Sequence, residues 1–412
     1  MSSRHTTRHP PKSARVDVTN VIETFLDQGY LVETLSRLAQ IPTDVPLGFH
    51  TLMEPDDPKL VHYVQRVLRP ELVGLGVYDL LDAPRNNLVA RLGRGASGQS
   101  LLIQNYTPAQ HNNLMEDPFS GRVGNAAHYG HDEPVVFGQG VSQCKAHQAV
   151  MLTVLKLLQE SGIEIQGRLY WAINNEGRSS HACSEAILTA LPEKPDFGIV
   201  QIDTGKAISL GNRGRVDVDV HVRGIATHSS TPQNGLSAIE GAHEVITRLR
   251  QLRWPDTHLL VGARHALVYK IDYAPLAPHT LPSDATLTID RRLLPGDDPD
   301  EAVEEIRTAI GDLAPYEVTV ARGVYMLPAL VDPAYAGVQA LQAAHTAIHG
   351  HPATTEYAQG TFDAGGLCAA GVPTVMYGAG GGAGLLDIDF VPIAAVIAEA
   401  KVLTALILSQ LA

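Results

Sequence analysis

Residues 214–249 read GRVDVDVHVRGIATHSSTPQNGLSAIEGAHEVITRL. The first ten residues alternate apolar and polar side chains, and this two-residue period predicts a half-buried strand. The apolar members are Val216, Val218, Val220 and Val222. Gly224 ends the alternation, and apolar residues then recur at helical spacing between residues 239 and 249. The segment therefore predicts a strand and a helix that hold His228 in the polar loop between them.

The chain before this segment alternates buried strands with helices. Nearly continuous apolar runs predict strands at 87–92, 100–104, 168–173 and 197–201, and helical spacing predicts helices at 145–160 and 184–191. The same alternation returns near the C-terminus, with a strand at 374–377 between helices at 334–348 and 392–409. This order predicts an α/β fold with a mainly parallel sheet flanked by helices.

Residues 209–322 interrupt the α/β pattern with strand, helix, strand, strand, helix, an order typical of a ferredoxin-like α+β unit. We therefore predict a mobile tail at 1–18, a discontinuous α/β catalytic domain at 19–208 and 323–412, and an inserted lid and dimerisation domain at 209–322.

Composition excludes several classes of protein. The net charge of −13 argues against a nucleic-acid partner, because phosphate groups would be repelled. No uninterrupted apolar run approaches the roughly 18 residues of a membrane span, and the first residues lack the apolar core of a secretory signal. Three cysteines without paired spacing fit a reducing compartment, so we expect a cytoplasmic protein.

The lid string resembles a signature of the zinc amidohydrolase and peptidase family that holds aminoacylase, acetylornithine deacetylase and succinyl-diaminopimelate desuccinylase. The matching residues are 224–232, GIATHSSTP, followed by 234–239, NGLSAI. The resemblance implies a zinc-binding α/β domain interrupted by a ferredoxin-like lid that mediates dimerisation. It also implies that His228 reaches into the partner's site and polarises the scissile carbonyl, so we expect a homodimer or a higher homo-oligomer.

Two further strings extend the resemblance to a substrate site. Residues 281–292 are similar to a family segment whose last arginine holds a substrate carboxylate, and Arg292 matches that position. Residues 360–363, GTFD, resemble a Gly-Thr-x-Asp loop that lines the family's substrate site and includes Thr361 and Asp363. The substrate implied is a small molecule that bears a carboxylate.

The metal-binding strings of the family are altered in this chain. The His-x-Asp string falls on residues 105–107, where Asn105 replaces the ligand, and we assign Asn105 to the substrate site instead. Gln143 stands where the family has the aspartate that bridges two metal ions. Because a neutral amide brings no charge to offset a dication, a bridged pair of metal ions is not expected.

Other residues could hold one ion in place of the usual set. Glu176 remains from the family's Glu-Glu pair, and Asp203 follows the strand at 197–201. Together with His111 and His181 they form our predicted ligand set for one labile divalent transition metal, Mn²⁺, Zn²⁺ or Co²⁺. His128, His131 and His147 lie near the same strings and stay open as alternative histidine ligands.

Three functional hypotheses follow. The first is a hydrolase in which a metal-bound water attacks an amide or an activated C–N bond, including that of an aromatic amine, with Glu176 and His228 as catalytic residues. The second is a non-catalytic pseudoenzyme or small-ligand binding protein on the same scaffold. The third is metal-free hydrolysis with Cys144 or Ser142 as the nucleophile, although Cys144 fits better as a buried neutral thiol.

Overall fold

The computed structural model describes residues 16–45, 53–96, 98–110, 114–176, 180–382 and 386–412. The predicted tail at 1–18 lies outside the described residues except for its last three, and so does His111.

Twenty strands occur in the described residues. In chain order they are β1 Leu80–Ala83, β2 Asn87–Leu92, β3 Ser100–Tyr106, β4 Val123–Ala126, β5 His131–Phe137, β6 Arg168–Asn174, β7 Phe197–Gln201, β8 Ile208–Asn212, β9 Gly214–Arg223, β10 Thr227–His228, β11 Thr257–His258, β12 Gly262–Ala263, β13 Ala266–Ala274, β14 Thr280–Leu281, β15 Asp284–Leu293, β16 Glu317–Met326, β17 Ala329–Leu330, β18 Thr355–Ala358, β19 Thr374–Tyr377 and β20 Phe390–Pro392.

Eleven α-helices accompany these strands in the same part of the chain. They are α1 Val18–Phe25, α2 Gln28–Ala39, α3 Pro58–His62, α4 Arg69–Gly74, α5 Ala146–Ser161, α6 Ala182–Ala190, α7 Ala238–Leu249, α8 Pro299–Ile310, α9 Ala336–His349, α10 Ala364–Ala369 and α11 Ile393–Leu411.

The large sheet has the strand order β1-β2-β6-β3-β7-β19-β8-β17, with β18 beside β8. Its four central strands, β6, β3, β7 and β19, are parallel, whereas β1, β2, β8 and β17 join antiparallel at the two sides. The predicted α/β class is therefore confirmed, with a parallel centre inside a mixed sheet. Parallel strands end at the same edge, so β3, β6 and β7 deliver their last residues to one place.

The lid sheet has the order β13-β15-β9-β16 and is antiparallel throughout. The alternating valines of β9 are fully buried in a core that α7 and α8 complete, as the two-residue period predicts. Ferredoxin-like connectivity is thus confirmed for this unit. Its core is separate from the one between the large sheet and α5, α9 and α11. The domain boundaries themselves remain a prediction.

One helix, α11, is long and apolar enough by length and composition to cross a membrane. More than half of it is buried against other helices, including α5 and α9, and it carries the fully buried Glu399. These contacts are those of a core helix.

Candidate functional site

A network of polar side chains fills the edge where the central parallel strands end. Asn174 Nδ2, at the end of β6, donates to Ser184 Oγ at 3.1 Å and to Asp363 Oδ2 at 3.2 Å. Gln104 Nε2, in β3, donates to the same Ser184 oxygen at 3.0 Å. The Tyr106 hydroxyl accepts from the backbone N–H of Asp363 at 3.2 Å. Asp363, predicted to line the substrate site, is therefore a buried part of this edge.

His181 pairs with Asp363 instead of presenting a free lone pair. Its Nδ1 atom lies 3.2 Å from Asp363 Oδ1, and its Nε2 atom accepts the backbone N–H of Leu327 at 2.7 Å. Because Nε2 is an acceptor, we assign the ring proton to Nδ1, where it is donated to the carboxylate. Both nitrogens are engaged, so His181 has no free lone pair for a metal ion.

Glu176 is committed to the start of helix α6. One carboxylate oxygen accepts the backbone N–H of Cys183 at 2.8 Å, in the first turn of the helix. The other accepts from Ser180 Oγ and lies 3.4 Å from Nη2 of Arg85. A carboxylate at a helix N-terminus satisfies N–H groups that otherwise have no partner, so Glu176 has a structural task here.

Asp203 follows β7 and is held by backbone groups. Its two oxygens accept the N–H groups of Gly205 at 3.1 Å and Gly381 at 3.0 Å. Burial raises the pKa of Asp203, and these two N–H groups oppose that rise. Its contacts differ entirely from those of Glu176 and His181.

The predicted ligand set does not assemble into a metal site in the described residues, where no three His, Cys, Asp or Glu side chains are placed to hold an ion. Glu176, Asp203 and His181 each make hydrogen bonds with different groups. Because His111 lies outside the described residues, the complete ligand set stays a prediction.

The positions at which the resemblance expects metal ligands carry neutral groups instead. Asn105 accepts the indole N–H of Trp171, and its own amide nitrogen is buried without a partner. Gln143 accepts the backbone N–H of Gln110 at 3.2 Å. Asn175 Oδ1 and Thr107 Oγ are also buried and unpartnered. Neutral amides and a hydroxyl do not fit a pair of zinc ions, which require anionic or imidazole ligands.

The third hypothesis is not supported by the local contacts. The thiol of Cys144 is buried and donates to the carbonyl of Pro108 at 3.2 Å. His147 faces the Ser142 carbonyl and Glu399 rather than this thiol. The interpretation of Cys144 as a buried neutral thiol agrees with the structure.

His228 lies on the exposed surface of the lid. β10 pairs with β14, and His228 stands opposite Thr280. Its Nδ1 atom accepts the backbone N–H of Ser230 at 3.2 Å and lies 2.8 Å from the Ser230 hydroxyl. The ring proton of the neutral imidazole is therefore assigned to Nε2, which faces outward as a hydrogen-bond donor.

Arg292 lies at the junction of the lid and the large sheet, beside a second arginine that sequence reasoning missed. Arg292 Nη2 pairs with Asp290 at 2.8 Å, and Nη1 approaches the Gln359 carbonyl at 3.5 Å. Arg213 Nε donates to the same carbonyl at 3.2 Å, and Nη1 donates to the Ala263 carbonyl at 3.0 Å. Thr361 is two residues beyond this shared acceptor and is half-buried.

The two guanidinium groups affect each other electrostatically. Burial lowers the pKa of Arg213, and the charge of Arg292 lowers it further. The pKa of His265 is lowered by burial and by both arginines. No carboxylate lies within ion-pair distance of Arg213 in the part of the chain that the structure describes. The sequence feature that could have drawn attention to Arg213 is its position between β8, which ends at Asn212, and β9, which begins at Gly214.

Asp389 is a second residue that sequence reasoning did not single out. It is fully buried, and its oxygens accept the N–H groups of Gly140 at 2.8 Å and Ser142 at 3.4 Å. Gly140 has φ of 83°, which a side chain would strain. Burial raises the pKa of Asp389 to about 7, against the effect of these N–H groups. Asp389 therefore fixes the turn that precedes α5.

Comparison with known proteins gives the same assignment as the lid string. Residues 210–317 match the M20 peptidase dimerisation domain. The chain is 28% identical over 170 residues to acetylornithine deacetylase of Proteus mirabilis, a match that covers 40% of this chain and 41% of that protein. It is 23% identical over 286 residues to carboxypeptidase G2 of a Pseudomonas species, covering 68% of this chain and 64% of that protein.

A solved structure extends the likeness to nearly the whole fold. The M20 family metallo-carboxypeptidase Sso-CP2 of Sulfolobus solfataricus superposes with a TM-score of 0.72 at 15% identity, and the match covers 92% of this chain and 98% of that one. The curated relatives above are matched over less than two thirds of their own lengths. The match to the dimerisation domain and the similarity to these relatives support the M20 family of zinc amidohydrolases and peptidases, and the solved structure shows that the chain shares its fold.

Proposed function

We propose that the protein is a hydrolase that cleaves an amide or an activated C–N bond in a small carboxylate-bearing substrate. The observation that carries this proposal is the pair Arg213 and Arg292, whose guanidinium groups share one backbone acceptor at the junction of the lid and the large sheet. Two half-buried cations with the single carboxylate of Asp290 leave one positive charge without compensation. An anionic group of the substrate, such as a carboxylate, would compensate this positive charge.

His228 supplies the second half of the proposed site. Its outward Nε2–H would donate to the scissile carbonyl oxygen of a substrate bound in a partner subunit and stabilise the negative charge that develops there. The required dimer is supported by the match to a dimerisation domain and by strand β13 at the edge of the lid sheet. Strand β13 exposes four large apolar side chains, Leu267, Tyr269, Ile271 and Tyr273. Such an exposed edge is typical of an interface.

M20 enzymes are metal-dependent, but the described residues do not fit the family's paired zinc site. We therefore propose roles only for side chains of this protein and none for a bound metal ion. Because His111 lies outside the described part of the chain, every assay is run in a chelator and again with added Mn²⁺, Zn²⁺ or Co²⁺.

The test compares binding and turnover of N-acetyl amino acids and aminobenzoates with those of their methyl esters, which lack the carboxylate. Arg213→Gln and Arg292→Gln should each weaken binding of the acids about tenfold or more, since hydrogen bonds to a charged group contribute about 1.5–3 kcal/mol. Arg322→Gln is the matched control, because Arg322 is an exposed lid arginine paired with Asp300. Equal affinity for acids and esters would refute the arginine assignment.

A second candidate function is a binding protein that retains ligand recognition without turnover. It is favoured by the contacts of Glu176, the family's remaining carboxylate, because both oxygens already serve the start of α6. Carboxylate-dependent binding without release of amine or acid product, in chelator and with each metal, would select this function. Turnover that Glu176→Gln abolishes while leaving the thermal unfolding temperature unchanged would exclude it.

A further inference from the structure

Four charged side chains form a square on the polar face of the lid sheet. Asp217 in β9 stands directly opposite Asp290 in β15, and Arg215 stands directly opposite Arg292. Opposite residues of an antiparallel pair share one face of the sheet, with Cβ atoms about 4.5–5.5 Å apart. Each aspartate therefore faces an aspartate and each arginine faces an arginine, an arrangement of like charges that destabilises a sheet.

Four polar atoms of this charged square are buried and have no hydrogen-bond partner in the described part of the chain. They are Oδ1 of Asp217, Oδ1 of Asp290, Nε of Arg215 and Nε of Arg292. The Tyr269 hydroxyl donates to Asp217 Oδ2 at 3.1 Å, and Arg292 Nη2 donates to Asp290 Oδ2 at 2.8 Å. Arg215 Nε lies 3.8 Å from Asp217 Oδ1, which is too far for a hydrogen bond. Each aspartate therefore keeps one buried oxygen without a donor.

A single proton between the two Oδ1 atoms would satisfy both of them. One carboxyl group becomes the donor and the other the acceptor, in a short O–H···O⁻ hydrogen bond of about 2.5–2.7 Å. The proton also removes one of two like charges that would otherwise repel each other across the strands. Both Oδ1 atoms are shielded from solvent, so a larger donor such as water or an ammonium group would have to push the side chains apart.

The pKa of Asp217 is shifted by groups on three strands of the lid sheet. Burial raises this pKa and is the largest effect. The charge of Arg215 in β9 and the hydrogen bond from Tyr269 in β13 oppose the rise, whereas the charges of Asp290 in β15 and Asp219 in β9 add to it. The net rise keeps a proton on the pair at a pH where an ordinary aspartate has lost its own.

Asp290 connects the pair to the proposed carboxylate site. It holds the guanidinium group of Arg292, and its charge also acts on Arg213 and His265. Loss of the proton adds one negative charge beside the two arginines, which weakens their attraction for an anionic group. Two neighbours on the outer strands carry no charge, Leu267 opposite Asp290 in β13 and Gly323 beside Asp217 in β16.

We propose that Asp217 and Asp290 share one proton, and that this proton regulates how tightly Arg213 and Arg292 bind the carboxylate of the substrate. The regulation rests on the proposed function, whereas the shared proton does not. The pair carries one negative charge while the proton is present and two after it leaves. Affinity for the acid therefore falls as pH rises through the release of this proton.

The shared proton is tested on the full chain without a ligand. The free energy of unfolding is measured by urea denaturation from about pH 4 to pH 9. The stability of the wild type relative to Asp217→Asn should fall as pH rises above the ordinary aspartate value of 3.8, because the folded pair keeps a proton that the unfolded chain releases. Asp219→Asn is the matched control and should keep the pH dependence of the wild type, since Asp219 has its own donor in Thr288. A difference between the wild type and Asp217→Asn that stays constant over this range would overturn the shared proton.

The regulation is tested by calorimetry with N-acetyl-leucine in a chelator, above about pH 5, where the carboxylate of this ligand is ionised. The affinity of the wild type should fall about tenfold over the pH range in which the stability difference falls. Asp217→Asn should keep the tight, low-pH affinity throughout, because its amide is uncharged and donates to Asp290 as the protonated acid does. His265→Gln is measured alongside, since a proton on that imidazole would also favour an anion, and it should retain the pH dependence.

Two results of the calorimetry would overturn the regulation. One is a wild-type affinity that does not change with pH. The other is a pH dependence that His265→Gln loses and Asp217→Asn keeps. Absence of binding at every pH, with the stability difference still dependent on pH, would overturn the proposed function together with the regulation, so the failure of the function is distinguishable from the failure of the shared proton.

Discussion

The Nδ1 atom of His147 lies 3.0 Å from a carboxylate oxygen of Glu399, and both side chains are completely buried. Nε2 of the same ring faces the carbonyl of Ser142 at 3.1 Å, so both nitrogens point at acceptors. Burial lowers the pKa of His147, but the charge of Glu399 and its hydrogen bond outweigh that effect and raise it. The ring is therefore an imidazolium paired with Glu399, and the pair joins α5 to α11.

Glu399→Gln should destabilise the protein strongly. Gln201 Nε2 and the backbone N–H of Ala379 also donate to this carboxylate, at 2.7 and 2.9 Å. The substitution therefore takes a charged acceptor away from these two donors and from His147. Removing one partner of a buried ion pair costs about 3–5 kcal/mol, so we expect the free energy of unfolding, measured by urea denaturation, to fall by about 3 kcal/mol. The control is Glu160→Gln, which breaks an exposed pair with Lys156 and should cost less than about 0.5 kcal/mol. Similar losses for both variants would contradict the assigned pair.

Asp389→Asn should change how stability depends on pH. The folded-state pKa of about 7 lies above the ordinary value of 3.8, so the unfolded chain releases this proton first as pH rises. The contribution of Asp389 to stability therefore falls between about pH 4 and pH 7 and is constant above that range. The stability of the wild type relative to Asp389→Asn should fall across this range, measured as urea midpoints at each pH. A difference that does not vary with pH would argue against the raised pKa.

His228→Ala should leave folding intact and lower turnover about 10²–10³-fold, the loss expected for one oxyanion donor. His243→Ala is the control, since it removes another exposed lid imidazole. The partner-subunit assignment is tested with hybrid dimers of His228→Ala and Arg213→Gln chains. If His228 acts across the dimer, each hybrid holds one intact site and activity returns to about half of the wild-type value per dimer. If it acts within its own subunit, the hybrids stay inactive.

Ile271→Asp should convert the dimer into monomers. Ile271 is one of the exposed apolar side chains of β13, and a carboxylate buried there by a second chain would have no partner. Leu259→Asp is the control because Leu259 is 95% exposed and lies outside β13. Sedimentation equilibrium should show a lower mass for Ile271→Asp only, and an unchanged mass would place the interface elsewhere.

Local patterns predicted the elements whose contacts are local. The alternation at 214–223 predicted β9, and the helical spacing after Gly235 predicted α7, because burial of one face follows directly from each period. Asp298 and Pro299 likewise predicted the start of α8, where the Asp298 side chain accepts the N–H groups of Asp300 and Glu301.

The site was harder to predict because distant parts of the chain decide what each side chain binds. Glu176 looked like a ligand in sequence, yet the start of α6 claims both of its oxygens. Asp363 is paired with His181, 182 residues away, and no local pattern encodes that contact. Arg213 became a candidate site residue only because the structure shows that it donates to the same Gln359 carbonyl as Arg292.

The indole of Trp171 limits whether a histidine at position 105 could act as a metal ligand. Its N–H is a donor only and now points at the oxygen of Asn105. A histidine placed there would accept this proton on one nitrogen and carry its own on the other, so it would offer an N–H where an ion needs a lone pair. A histidine at 105 would therefore offer a lone pair to an ion only if residue 171 no longer presented its indole N–H.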